Sequence, residues 1–435
     1  MIKSDLRPRT SDFRFSFQLI RGVIFCILTL SYILVYFHRM APGVVSEYLM
    51  ADFGISGARL GLLSAIYFFV YAAMQLPSGI LADTLGTQYS VIGGNLVAGL
   101  GSILFGLAPT FALACAGRFF VGLGVSVIFV GILKNNSVWF KRSVFGLMSG
   151  LTLFIGNLGS ATAATPLSWL LNFFRWRTVF VSIGVSSLVL TALACLFVRN
   201  RPEDFGLPAP NPPADPAVAS RGWMHNLKRV LITPEIWPAF WIQFGITGTL
   251  YSFMGLWGIP YLRDVQYFTR PEAAQILTVM LLTFAFGALF FGWFSDRIGR
   301  RKPLLIGGIA LFNFIWLLHM FSGWGDRYVL LMLFGLMGFA GSCFVLTFAC
   351  AKEIVDPDLS GMAVSVVNTG CFLGTALLQP AFGWLAEWNH DGKIVDNIRI
   401  YSETDYRRGF LLMLALVLMG LFSSFRLKET YGRHL

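Results

Sequence analysis

The chain has 435 residues, of which 56% are hydrophobic and only 13% charged, with a net charge of +11 and a mean hydropathy of +0.69. A water-soluble domain carries about 25% charged residues, so this composition excludes an ordinary soluble globule. The apolar residues gather in runs of the length that a hydrocarbon core of about 30 Å demands of a helix. The short alternating segments of a transmembrane barrel are absent.

Twelve spans are expected, at 19–48, 59–81, 89–108, 111–134, 144–168, 177–198, 236–262, 272–294, 303–323, 328–352, 360–386 and 406–426. The first run continues into further membrane-like sequence and lacks a small-residue cleavage site, so it reads as a span and not a secretory signal. Between the sixth and seventh spans, Pro202, Pro208, Pro210, Pro212, Pro213 and Pro216 mark a linker. The expected organisation is a six-helix bundle over 1–198, a cytoplasmic linker over 199–235 and a second six-helix bundle over 236–435. With both termini inside, 19 Lys and Arg fall on the cytoplasmic side and 10 on the outer side. That bias orients a multi-pass protein of the bacterial inner membrane. It also accounts for the positive charge without a nucleic-acid partner.

The halves repeat. Gly79-x-x-x-Asp83-x-x-Gly86 follows the second span, and Gly292-x-x-x-Asp296-x-x-Gly299 follows the eighth, with the aspartates 213 residues apart. Lys134 ends the fourth span and Lys352 the tenth, 218 apart. Parallel duplicated halves of six spans are a transporter architecture. Glycines three or four apart, such as Gly146 and Gly150 or Gly370 and Gly374, suit closely packed helices. The six cysteines lie inside apolar runs with no Cys-x-x-Cys pair, which gives no disulfide or metal framework. No His-Glu-x-x-His, Gly-x-Ser-x-Gly or phosphate-binding loop occurs, so neither an enzyme nor a cofactor is expected.

Together, the repeated Gly-x-x-x-Asp-x-x-Gly loops and Arg118-Phe-Phe-Val-Gly122-Leu-Gly124 resemble the signature loops and fourth-span arginine motif of the major facilitator superfamily. The resemblance covers essentially the whole chain. It implies an all-α membrane protein with twelve transmembrane helices in two pseudo-symmetric six-helix bundles. It implies gating roles for Asp83, Asp296 and Arg118. The first loop departs from the pattern, with Thr84, Thr87 and Gln88 where basic residues are usual. Tyr36-Phe-His-Arg39 resembles the first-span arginine of organic-anion:cation symporters and organophosphate antiporters. Lys134, five positions before Trp139, and Arg201-Pro-Glu-Asp-Phe-Gly206 resemble the antiporters, although the seventh span lacks their second arginine. The first span and the loop from Asp391 to Ser402 also resemble phagosomal transporters of intracellular bacteria, which carry amino acids or nucleosides.

Ionisable groups inside a span are costly, about 2.5–3.5 kcal/mol on insertion scales, and normally face a cavity or a partner. The spans hold Arg39, Arg118, Lys134 and Lys352 but no mid-membrane carboxylate. Positive charge without an acid to neutralise it favours an anionic or carboxylate-bearing solute, which an arginine fork can grip in bidentate fashion. The expected binding set is Arg39, Tyr36, Lys134, Tyr71, Gln75, Asn157, Gln243, Tyr251, Trp257, Lys352 and Asn368, with Tyr32, Tyr67 and Gln379 as further polar groups. His38 and Glu47 are the candidates for proton coupling. A monomeric carrier working by alternating access, with a proton as co-substrate, is the expected function. An amino acid or nucleoside carrier and an anion exchanger are the alternatives.

Overall fold

A computed structural model describes residues 10–141, 144–210, 223–321, 325–356, 359–388, 394–395 and 398–431. In lipid every backbone N–H and C=O must be satisfied within its own segment, so the apolar runs become helices. Twelve helical columns result. Ten of them are long and apolar enough to cross a membrane by themselves. The other two are broken. The second is Gly57–Ala73 followed by Gln75–Thr84. The seventh starts at Trp237 and contains two π turns, Gln243–Thr247 and Phe253–Trp257. Each piece by itself falls short of a span.

With an even number of columns both chain ends lie on one side, here called the termini end, and the opposite side is the far end. Five helices that begin at the far end are capped by a side chain. Ser56, Thr110, Asp326 and Ser402 accept hydrogen bonds from the first backbone amides, and Thr269 forms a capping box with Glu272. Such caps satisfy donors that the helix itself leaves open and contribute about 1 kcal/mol each.

The packing repeats as the sequence does. The first column packs on the fifth, the second on the fourth and the third on the sixth; the seventh on the eleventh, the eighth on the tenth and the ninth on the twelfth. Every pairing in the first half thus recurs six columns later. Across the halves the first column meets the seventh, the second meets the eleventh, and the fifth meets the eighth. Thr165 and Thr278 share a hydrogen bond of 2.8 Å at the last of these junctions. The plane between the halves is therefore built from helix faces, and the side chains that meet there define the site.

Candidate functional site

Arg39 lies near the middle of that plane and is 2% exposed. It does not reach the headgroup layer; the first helix carries it inward, one turn before Pro42. Its guanidinium carbon stands 4.5 Å from the ring of Tyr36, 5.4 Å from Tyr71, 5.3 Å from Tyr251 and 5.1 Å from Phe372. These rings come from the first, second, seventh and eleventh columns, so both halves build the cage. Tyr251 sits on the short helix Gly248–Ser252, between the two π turns. Turns of this type re-aim side chains and are frequent at functional sites. The Arg39 Nε has no hydrogen-bond partner, and among the described residues no carboxylate pairs with it. An uncompensated buried charge costs several kcal/mol. The aromatic faces offset part of that cost at about 0.5–2 kcal/mol each.

The cage is closed on both sides. Toward the termini end, Phe372 packs on Tyr71 with ring centroids 4.2 Å apart, and one turn further Asn368 Nδ2 donates to Gln75 Oε1 at 2.9 Å. Toward the far end the halves touch backbone to backbone. A Cβ placed on Gly61 would lie 2.5 Å from the carbonyl oxygen of Gln379, and one on Gly383 would lie 2.4 Å from that of Gly57. Only glycine permits that approach. The Gly57 amide donates to the Tyr401 hydroxyl at 2.8 Å. Glu47, from the first half, accepts from Arg270 at 3.0 Å and contacts Arg263, both from the second half. Trp257 stacks on Phe382 at 4.6 Å and donates through Nε1 to the Gln379 carbonyl.

The matched regions decide the family. The family model of the Major Facilitator Superfamily matches residues 28–269 and 258–434. The chain belongs to the Major Facilitator Superfamily. A probable sulfoacetate transporter of Cupriavidus necator is 24% identical over 290 residues, covering 65% of the chain and 66% of the relative. A probable hexose phosphate transport protein of Chlamydia trachomatis is 22% identical over 403 residues, covering 86% of each. The crystal structure of a bacterial homologue of the human lysosomal transporter Spinster, inward-facing and unoccupied, superposes with a TM-score of 0.75 at 16% identity, over 94% of this chain and 98% of that one. As a superfamily member the chain is a multi-pass secondary transporter and not an enzyme.

The structure distributes the other expected residues unevenly. Tyr36, Tyr71 and Tyr251 join Arg39, and Gln75 and Asn368 lie one turn beyond. Tyr32 stacks on Phe129 at 5.2 Å beside Tyr36. Asn157 bonds to Leu153 O of its own helix at 3.0 Å. Gln243 is committed within the second half, donating to Thr347 and accepting from Thr247, each at 2.8 Å. Trp257 belongs to the far-end closure. Lys134 is half-buried and Lys352 is exposed at the termini end. Glu353, next to it, and Asp296 both pair with Arg301, at 2.7 and 3.0 Å, so that network stays within the second half. The side chain of Asp83 lies outside the described residues.

His38 and Arg118 form a second buried basic pair within the first half. Arg118 Nη1 donates to His38 O at 3.0 Å. The imidazole packs near Phe37 and Phe180 with both ring nitrogens unpartnered. Glu47 stands in the closure. Sequence reading missed Phe372, which has no polar signal; its one clue is a position one turn after Asn368. It also missed the contacts of Arg263 and Arg270 with Glu47, since as loop arginines they counted only toward topology.

Proposed function

We propose that this transporter carries a small anionic or carboxylate-bearing solute, held by Arg39 inside the aromatic cage, across the bacterial inner membrane by alternating access. The observation that carries the reading is the Arg39 guanidinium, buried between the halves with four rings around it and no acid paired to it. Sulfoacetate and hexose phosphates, named for the two relatives, are solutes of this charge type. Tyr36, Tyr71 and Tyr251 present ring faces and hydroxyls to the bound group. Gln75 and Asn368 guard its way to the termini end.

With both termini cytoplasmic, the Glu47 closure faces outward and the Tyr71–Phe372 contact faces the cell interior. A univalent anion moving inward works against about 2.3 kcal/mol per 100 mV. Co-transport of a proton offsets this, with His38 as the buried titratable group nearest Arg39 in the chain. Exchange against an internal anion is the second reading, favoured by the lack of a paired acid at Arg39.

The test is a thermal-shift screen of mono- and dicarboxylates, sulfoacetate and sugar phosphates, followed by counterflow in proteoliposomes with the best ligand. Arg39→Ala is expected to lose about 2–5 kcal/mol of binding, the cost of truncating one partner of a buried charge pair. Undiminished stabilisation of Arg39→Ala by that ligand removes Arg39 from the site. Uptake driven by an imposed pH gradient supports symport, and uptake that requires an internal anion supports exchange.

A further inference from the structure

The helix Trp223–Leu231 precedes the seventh column and packs against the second half. Its sequence, Trp-Met-His-Asn-Leu-Lys-Arg-Val-Leu, places apolar side chains on one side and His225, Asn226, Lys228 and Arg229 on the other. Only part of the apolar side faces protein. Val230 is fully buried and Leu227 packs against the core. Met224 and Leu231, two turns apart on the neighbouring flank, are 66% and 40% exposed, and Ile232 just beyond is 68% exposed. A soluble surface has no reason to present this row.

Two contacts set the helix's height. Trp237, the first residue of the seventh column, donates through Nε1 to the Leu231 carbonyl at 3.1 Å. Arg229 Nη2 pairs with Asp356 at 2.6 Å, just before the eleventh column begins at Ser360. The helix also packs on that column. It is therefore tied to the starts of the seventh and eleventh columns, and its apolar flank is left bare there. The flank is bordered by Lys228, which is exposed. A short amphipathic helix with an apolar flank and a basic border fits the headgroup layer of a bilayer that contains anionic lipid.

We propose that Trp223–Leu231 lies in the headgroup layer at the termini end, with Met224 and Leu231 turned to the acyl chains and Lys228 to anionic phospholipid headgroups. Through Arg229 and Asp356 it links lipid charge to the base of the eleventh column, the column that carries Asn368 and Phe372. The inference rests on the fold and not on the identity of the solute.

The test places a spin label at each of positions 224, 231, 225 and 228 of the full chain. Cys26, Cys115 and Cys195 are replaced by serine, and the buried Cys343, Cys350 and Cys371 are retained. The protein is held in phosphatidylcholine nanodiscs with or without phosphatidylglycerol. At 224 and 231 collisions with oxygen should exceed those with an aqueous nickel chelate, and the order should reverse at 225 and 228. Adding phosphatidylglycerol should move the labels at 224, 225 and 231 deeper, and Lys228→Gln should abolish that shift. Equal nickel access on both flanks, or both flanks shielded from oxygen and nickel by a protein partner, overturns the proposal. So does a depth indifferent to phosphatidylglycerol. A second measurement needs no cysteine. Brominated phosphatidylcholine should quench the fluorescence component that Trp223→Phe removes, and an unquenched component also overturns the proposal.

Discussion

The two ends of the central cage are closed by different means. At the far end the closure is several layers deep: glycine backbones in contact, the Tyr401 hydroxyl capping Gly57, and Glu47 held by two arginines of the opposite half. At the termini end the contacts beside Arg39 include the ring pair Tyr71 on Phe372 and the amide pair Gln75 with Asn368. The ionic network on that side, around Arg301, ties the second half to itself. The difference teaches that the far end is held by ionic and backbone contacts between the halves, and the termini end beside Arg39 by aromatic and amide contacts. Parting the halves at the far end requires the loss of a charge cluster and a backbone seam.

The comparison breaks most completely at the seam. Gly61→Val sets carbon where the Gln379 carbonyl already stands, and backbone cannot give way as a side chain does. We expect more than the usual 1–3 kcal/mol of overpacking. A cysteine reporter beside Tyr401 should become labelled by an impermeant maleimide from the far side, and transport should stop. Unchanged labelling would mean that the seam does not bear on closure. Glu47→Gln comes next. It leaves Arg263 and Arg270 facing each other without the carboxylate, and the partly buried pair should cost about 1–3 kcal/mol. The same reporter should be labelled faster, though not fully.

Asp264 stands outside the membrane-spanning stretch, in the polar rim with Arg263. Its carboxylate accepts from the Tyr406 hydroxyl at 2.9 Å and from the Tyr401 amide at 3.4 Å. Burial pushes its pKa up to about 6, while those hydrogen bonds and Arg263 oppose the rise. An acid whose folded pKa is raised binds more protons folded than unfolded between its two pKa values, so stability falls as pH climbs through that window. The melting temperature should therefore drop between about pH 4 and pH 6 relative to Asp264→Asn, which should lack that component. Parallel pH profiles would show that the carboxyl is not strained by burial. The smallest effect belongs to the termini end. Asn368→Ala removes a single cross-half hydrogen bond, about 1 kcal/mol. It should raise labelling from the termini end by several-fold without raising far-side labelling; a far-side increase would show that the two closures do not alternate.

Much of this was legible in the chain itself. Twelve apolar runs, a duplicated Gly-x-x-x-Asp-x-x-Gly loop and an arginine with no acid to match it are local or countable signals. The contact pattern that recurs six columns later realises the duplication. The polar candidates were less legible, because one residue type serves two ends. Gln75 and Gln243 are both glutamines in spans, yet one bridges the halves and the other is held by Thr347 and Thr247 inside its own bundle. Hydropathy cannot separate them, since it carries no information on helix rotation. The two broken columns were equally hidden. Met74 and the π turns leave no break in the apolar run, and it is the π turns that bring Tyr251 to Arg39.

Sequence by itself determined that this protein is a helical membrane transporter of duplicated halves, because the free energy of burying backbone in lipid allows few other outcomes for such runs. It also determined that the ionisable side chains in the middle of the spans include arginine and no carboxylate. Only the tertiary structure decided which aromatic rings surround Arg39, that the loop arginines Arg263 and Arg270 clamp Glu47, and by which contacts each end is closed. Those facts depend on contacts between helices far apart in the chain, set by the rotation and approach of packed faces that no single segment encodes.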